Sequence, residues 1–233
     1  MRAATYNVHG CIGTDGQLSP DRIARVIGQL DAHFIGLQEV HCSPDGNGMC
    51  ELDAIAKLSK MRAVSGGIRA GHRGTYGNAV LTSLPVIASN LIDLSVSGRE
   101  PRGALDVYLA ADSSTVRVVV AHLGLAPWER RNQCLRLVDA LTSDGQPADV
   151  TVLLGDVNEW FHWGRPLRWL AAAFGRSAHI RTFPSYAPIF ALDRIWVLPQ
   201  GSLNRSWRHA NSLTRKASDH LPLVAEIALP KST

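Results

Sequence analysis

A chain of 233 residues with 45% hydrophobic and 19% charged residues carries enough apolar material for a real core. No apolar run approaches the roughly 18 residues of a membrane-spanning helix, which excludes that class. The formal charge of +4 and pI of about 9.1 are mildly basic, and the excess is spread along the chain; it admits nucleic acid, anionic lipid or small phosphate esters and selects none of them.

No linker, repeat or composition break divides residues 1–233, so one domain is expected. Met1-Arg-Ala-Ala-Thr-Tyr6 leads straight into a strand pattern without an h-region or cleavage site, and the expected compartment is the cytoplasm. Ala3 to Tyr6 is a first strand, followed by Asn7-Val8-His9-Gly10. Ser19-Pro20 then supplies an N-cap and a proline at the first helical position. Ile23, Val26, Ile27 and Leu30 follow at helical spacing. Phe34 to Leu37 is a short strand ending in Gln38-Glu39, so the chain opens as a βαβ-like unit.

Cys42 and Cys50 bracket a loop that they could close if oxidised; with Cys11 and Cys134 they match no zinc framework, and free thiols are expected. Leu52, Ile55 and Leu58 mark a second helix. The runs Tyr76 to Thr82, Val86 to Leu94, Ala104 to Ala111 and Val116 to Leu123 are closely spaced strands, which predicts antiparallel hairpins. Pro127 opens a helix with Cys134, Leu137, Val138 and Leu141 on one stripe.

Val150-Thr-Val-Leu-Leu-Gly-Asp156-Val-Asn158 is the stretch around which the rest is organised. Its apolar run predicts a strand buried on both faces, with Gly155 allowing a sharp turn at its end. Asp156 and Asn158 share a face if the extended geometry continues. A helix with Leu167, Leu170 and Phe174 then stops at Gly175, and Phe190 to Val197, Leu203 to Arg208 and Leu221 to Leu229 are the last strands. The mixture predicts an α/β sandwich of two mixed sheets, face to face and covered by helices.

Polar groups stand at the predicted strand ends: Asn7, Glu39, His122, Asp156 with Asn158, and Asp219 with His220. Asp193 lies within an apolar run, where a carboxylate is costly unless paired. Each has an ordinary explanation as a turn, cap or satisfied core residue. Together they point to one site.

These residues carry a resemblance. Thr5-Tyr-Asn7, Gly36-Leu-Gln-Glu39, Gly77-Asn78-Ala-Val-Leu, Ala121-His122-Leu, Gly155-Asp156-Val-Asn158, Leu192-Asp193-Arg-Ile and Ser218-Asp219-His220 stand in the order seen in the endonuclease/exonuclease/phosphatase (DNase I-like) superfamily. The resemblance implies a four-layered α-β-β-α sandwich and Mg²⁺-dependent hydrolysis of phosphate esters, with Mn²⁺ as a substitute. Glu39 is the first candidate ligand for the metal, with Asp219 and Asn7 behind it. His220 with Asp193 forms the expected base pair, and Asp156 orients or activates the water. Asn158 holds a phosphoryl oxygen, and His122 stabilises the pentacoordinate state or assists the leaving group. Asn78 and Arg102 are candidates for the phosphate-facing rim. His9 stands where abasic endonucleases of the superfamily carry an acidic metal contact; a place at the substrate entrance is the other use for it.

The substrate stays open among nucleic acid, a phospholipid or inositol-phosphate headgroup, and a small phosphodiester or monoester. A binding domain without catalysis is the alternative from another class, and a monomer is expected. Trp128 and the cluster Trp160-Phe-His-Trp163 flank the expected mouth and, if exposed, suit an amphiphilic substrate or base stacking.

Overall fold

The computed structural model describes residues 1–42, 50–71, 74–143, 147–161 and 163–230, with the side chains of 69–71 and 74 also outside the description. The loop between Cys42 and Cys50, and His162 of the tryptophan cluster, therefore lie outside the described residues. The elements run β1 (Arg2–Asn7), α1 (Pro20–Leu30), β2 (Phe34–Cys42), α2 (Glu51–Ser59), β3 (Arg62–Gly71), β4 (Gly74–Thr82), β5 (Val86–Asp93), β6 (Gly103–Ala111) and β7 (Ser114–His122). They continue with α3 (Pro127–Ser143), β8 (Val150–Asp156), α4 (Arg165–Phe174), β9 (Asp193–Leu198), β10 (Leu203–Arg208), α5 (Ser212–Ala217) and β11 (Leu223–Ile227).

Two mixed sheets result, ordered β10-β11-β1-β2-β4-β3 and β5-β6-β7-β8-β9. Each contains one parallel pair, β1 with β2 and β7 with β8, among antiparallel neighbours. Three buried clusters define four layers. Ala4, Tyr6, Ile35 and Leu37 meet Ile23, Val26, Ile27, Leu30 and Ile55 on the outer face of the first sheet, under α1 and α2. Ala3, Phe34, Val80, Leu105, Val118, Val120, Leu154 and Ile195 fill the space between the sheets. Val119, Leu153 and Trp196 meet Cys134, Leu137 and Leu170 under α3 and α4. Strand alternation explains the division, because successive side chains go to opposite faces.

Local chemistry accounts for the element ends. Ser19 Oγ accepts from Arg22 N at 3.2 Å, and Pro20 begins α1. Gly36 faces the inter-sheet layer, where a Cβ would overlap Leu154 and Val120, so a side chain there would push the sheets apart.

Several expectations change. Gly155 does not make the turn: it lies inside β8 at φ +141°, where a Cβ would overlap the Ala121 carbonyl on β7. The extended run ends at Asp156, and Asn158 has φ +50°. β4 and β5 are not a hairpin; the chain crosses between sheets at residues 83–85, because Leu84 packs into the inter-sheet layer. β9 starts at Asp193 rather than at Phe190, so the carboxylate sits at a strand end. Leu58 is exposed, outside the buried stripe of α2. β3 and α5 had no strong sequence signal: the first is glycine-rich, and the second is six residues long, held by an Asn211/Thr214 capping box. None of the four cysteines is in a disulfide, and all are buried. Among the described residues no helix is long and apolar enough to cross a membrane.

One buried ion pair ties the second sheet to its helices. Arg117 on β7 donates to Asp106 on β6 at 2.8 Å, and to the Leu141 carbonyl of α3 at 3.4 Å. Asp106→Ala is expected to cost about 3–5 kcal/mol, because it strands a buried guanidinium. Asp106→Leu with Arg117→Met should recover most of that in urea unfolding; an Asp106→Ala loss below about 1 kcal/mol would contradict the pairing argument.

Candidate active site

The parallel and antiparallel pairings place six polar side chains at one end of the sandwich. β1 and β2 run in the same direction, so Asn7 and Glu39 emerge together. β11 runs against β1, which brings His220, just before β11, to the same end. In the second sheet His122 and Asp156 are register partners, as are Asp156 and Asp193. Asn7, His122, Asp156, Asn158, Asp193 and His220 are all buried.

Glu39 is aimed by a bulge. The β2–β4 register shifts between Leu37 and Val40, and Glu39 takes φ +59°. Its carboxylate accepts from Asn7 Nδ2 at 2.9 Å and from the Tyr76 hydroxyl at 2.8 Å. Asn7 Nδ2 also donates to Asp156 Oδ2 at 3.1 Å, while its Oδ1 accepts from His9 N at 3.0 Å. Two carboxylates on one side and a backbone N–H on the other leave a single orientation for this amide. Asn7, a candidate ligand from the sequence, holds two carboxylates in place through its NH2 group, and its oxygen accepts one backbone N–H.

Deeper in the site, Asp193 Oδ2 accepts from Thr182 Oγ1 at 2.5 Å and lies 2.9 Å from His220 Nδ1. His220 Nε2 is 3.7 Å from Asp156 Oδ2. Burial opposes the imidazolium, but the Asp193 charge and hydrogen bond outweigh it, with help from Asp156, and push the His220 pKa up to about 10. Burial also raises Asp156, against the pull of His220 and His122. Asn158 N donates to Asp156 Oδ1 at 2.9 Å, so the two residues meet through an Asx turn and not through a continued strand.

His122 has an unexpected partner. Arg102 Nη1 lies 3.0 Å from His122 Nδ1, and Arg102 Nη2 donates to Glu100 at 3.1 Å. A guanidinium and an amide NH2 only donate, so His122 has a donor against each ring nitrogen, Arg102 at Nδ1 and Asn158 Nδ2 at 3.1 Å from Nε2. Burial, foremost, and the Arg102 charge depress this histidine's pKa, against the pull of Asp156 and Glu39. Nε2 faces Asp156 Oδ2 at 3.7 Å and Glu39 Oε1 at 3.8 Å, beside an Asn158 amide whose Nδ2 donates to the Leu123 carbonyl at 2.9 Å. Arg102, expected on the rim, is thus spent on His122 and Glu100. Asn78 is buried beneath the site, its Nδ2 donating to Gly103 at 2.8 Å and Val120 at 3.3 Å across to the second sheet.

The outer edge is more open. His9 Nδ1 lies 3.6 Å from Glu39 Oε2 and 3.7 Å from Asp219 Oδ2. Burial foremost opposes the lowering of the Glu39 pKa, yet His9, His122, Asn7 and Tyr76 together hold the carboxyl well below the usual range. Two sets of donors could therefore take a cation. Asp156, Asp193 and His220 offer atoms within 4.8 Å of one another, but the hydrogen bonds from Thr182 and His220 already occupy one oxygen of Asp193. Glu39 and Asp219 are hard oxygen donors with accessible edges, and they fit Mg²⁺, which accepts one or two carboxylates and keeps its waters.

A family model described as the Endonuclease/Exonuclease/phosphatase family matches residues 4–220. The chain belongs to that family. Uncharacterized protein YbhP of Escherichia coli (strain K12) is 35% identical over 174 residues, covering 67% of this chain and 64% of that protein, so the match spans less than two thirds of this relative. A functionally unknown conserved protein from Enterococcus faecalis V583 superposes with a TM-score of 0.80 at 20% identity, covering 99% of this chain and 100% of the other. A mannosyl-6-phosphatase of Bacteroides thetaiotaomicron VPI-5482 superposes at 0.77 with 16% identity, covering 98% and 100%. At such identities the structures establish the DNase I-like fold; the family comprises phosphoesterases and nucleases that commonly depend on a metal.

Sequence inspection missed Tyr76, Thr182 and Phe183. Tyr76 lies on a recognised strand, but only the bulge in β2 brings Glu39 to it. Thr182 and Phe183 come from an irregular segment; Phe183 packs on the His220 ring at a centroid distance of 4.8 Å. The His220 pKa has a direct check by NMR of the metal-free protein, where its ring should titrate near pH 10. Asp193→Asn should bring the midpoint down by more than one unit. A raised folded pKa contributes stability that is complete below about pH 6.5 and lost as pH rises through about 10. An unchanged midpoint in Asp193→Asn would show that the pair does not set the charge.

Proposed function

We propose that the protein is a metal-dependent phosphoesterase acting on phosphodiesters, and on monoesters where the leaving group permits. The observation that carries this reading is the convergence, from both sheets, of hard carboxylates at the mouth with an Asp–His pair and a second carboxylate behind them. Glu39 and Asp219 would hold Mg²⁺, with Mn²⁺ as a substitute. When bound there, the ion would offset negative charge developing on the phosphoryl group.

The side chains divide the remaining work. Asp156, with its raised pKa, is a better base than an ordinary carboxylate, and Asn7 and the Asn158 backbone fix its two oxygens. It takes the proton of the attacking water. The sequence suggests His220 as the base, but an imidazolium held by Asp193 is already protonated at neutral pH; it donates toward a phosphoryl oxygen instead. His122, held between Arg102 and Asn158, turns Nε2 toward the mouth, and on protonation there it would donate to the phosphoryl or leaving oxygen in place of its contact with Asn158. A complete set of such groups argues against a binding-only role.

An aromatic rim favours an amphiphilic phosphodiester. Trp160 packs edge-on against Phe190 at 4.7 Å and Phe183 at 5.7 Å, and Phe183 reaches the His220 ring. Trp160, Phe161 and Trp163 are 39%, 58% and 64% exposed, so an apolar body could rest beside the phosphate. Trp128 is also exposed, with Arg99 stacked over it. Stacking on an unpaired base is the competing use.

Glu39→Gln is expected to lower kcat/KM on bis-p-nitrophenyl phosphate by about 100-fold or more and to weaken Mn²⁺ binding measured calorimetrically. Full activity in EDTA would sink the metal assignment. For the substrate, phospholipid hydrolysis should exceed plasmid nicking at matched enzyme and Mg²⁺, and Trp160→Ala should raise KM for lipid several-fold with little change in kcat. Efficient nicking that falls steeply with salt, without lipid turnover, would identify a nuclease instead.

A further inference from the structure

On the outer flank of the second sheet a cleft of about 520 Å³ opens between α4, the edge strand β9 and the segment 176–181. Arg168 on α4, Arg176 and Arg181 on the segment, and Arg194 and Trp196 on β9 line it, with His179. Among the described residues no aspartate or glutamate lines it. Arg168, Arg176 and Arg181 are exposed and, among the described residues, form no ion pair. Four guanidiniums around one cavity repel one another unless an anion shares it.

Arg194 is different in kind. It is 3% exposed, and it donates from Nη1 to the Ala178 carbonyl at 3.0 Å. Asp193 and Glu159 supply the nearby negative charge, but Glu159 already faces Arg130 at 3.4 Å and Asp193 belongs to the His220 pair. Two buried donors in this wall, Arg194 Nε and Trp196 Nε1, have no acceptor among the described residues. Unsatisfied buried N–H groups are rare, and each costs the desolvation of a polar group. A tetrahedral oxyanion entering the cleft with modest closure of its walls would answer both the charge excess and the missing acceptors.

We propose that this cleft is a second ligand site, which binds the phosphate group of a small phosphorylated molecule. The volume falls within the range of small-ligand pockets. Arginine forks match phosphate oxygens in pairs, and Leu167, Ala171 and the Trp196 ring offer an apolar wall for an organic body. The site stands apart from the hydrolytic centre, since none of its lining residues belongs to that centre. Its position still matters, because Asp193 and Arg194 are neighbours on β9, as are Arg181 and Thr182 on the incoming segment. A ligand here would lie behind the Thr182–Asp193–His220 hydrogen bonds.

Equilibrium dialysis with labelled inorganic phosphate and with phenyl phosphate, in EDTA to suppress turnover, tests the proposal. One phosphate per chain should bind to the wild type and to Glu39→Gln alike. The paired change Arg176→Glu with Arg181→Glu should weaken it by about tenfold or more. Arg168→Glu, on the opposite wall, should do the same and serves if the pair fails to fold by circular dichroism. Tighter binding of phenyl phosphate than of phosphate supports the site and identifies an organic ester; equal binding supports it with free phosphate as the ligand. Absence of phosphate binding at millimolar concentration overturns the proposal, as does binding that survives both charge reversals. Loss of duplex-oligonucleotide binding in these variants, with no phosphate binding in the wild type, also overturns it and assigns the surface to nucleic acid.

Discussion

The two N–H bonds of one amide, Asn7, hold carboxylates from both sheets. Glu39 comes from β2 and Asp156 from β8, and the Asn7 side chain reaches them at 2.9 and 3.1 Å. Most of the contact between the sheets is apolar, and such contact does not by itself fix how strand ends line up. At the polar end the constraint is directional. An unpaired carboxylate or amide buried there would cost several times what one apolar contact returns, so the network must close. Ser218 extends it by donating to the Asn7 carbonyl at 2.8 Å, which binds the segment before β11 to the end of β1.

That closure sets the electrostatics. Among the described residues Glu39, Asp156, Asp193 and Asp219 meet three histidines, His9, His122 and His220, and each is tuned differently. His220 is held charged by Asp193. His122 is depressed by burial and by Arg102. His9 is raised by the Glu39 carboxylate facing it at 3.6 Å, more than burial lowers it, and sits between the two outer carboxylates. Most of the inner polar atoms have protein partners, with Asp193 Oδ1 left without one among the described residues, whereas the outer part retains oxygen donors at an accessible edge. This asymmetry favours a cation at the mouth and proton transfer behind it.

β9 serves two faces. Its alternation sends Asp193 into the active centre and Arg194, with Trp196, toward the cleft under α4. The strand is the edge of its sheet, and beside it α4 and the segment 176–181 leave the cleft open. The same segment supplies Thr182 and Phe183 to the active centre. One irregular connection thus contributes to the aromatic rim, the Asp193 hydrogen bond and the basic cleft.

Local sequence determined the elements whose signals are local: the Ser19-Pro20 start and apolar stripe of α1, the doubly buried run of β8, and the polar residue at each strand end. It also identified Asn7, Glu39, His122, Asp156, Asp193 and His220 as candidates, because polar groups placed at the ends of apolar strands need partners. It could not say which partner each would find. That His122 meets Arg102, that Tyr76 holds Glu39, and that Asn78 is a cross-sheet clamp depend on strand register and on a bulge, which arise from pairing between distant segments. β3 and α5 stayed hidden because glycine-rich or six-residue segments have little intrinsic preference and are held by their neighbours. The chemistry available to the chain was written in residue types and their spacing; which atoms face one another was decided only when the two sheets packed, since hydrogen bonds depend on distance and direction that no local pattern carries.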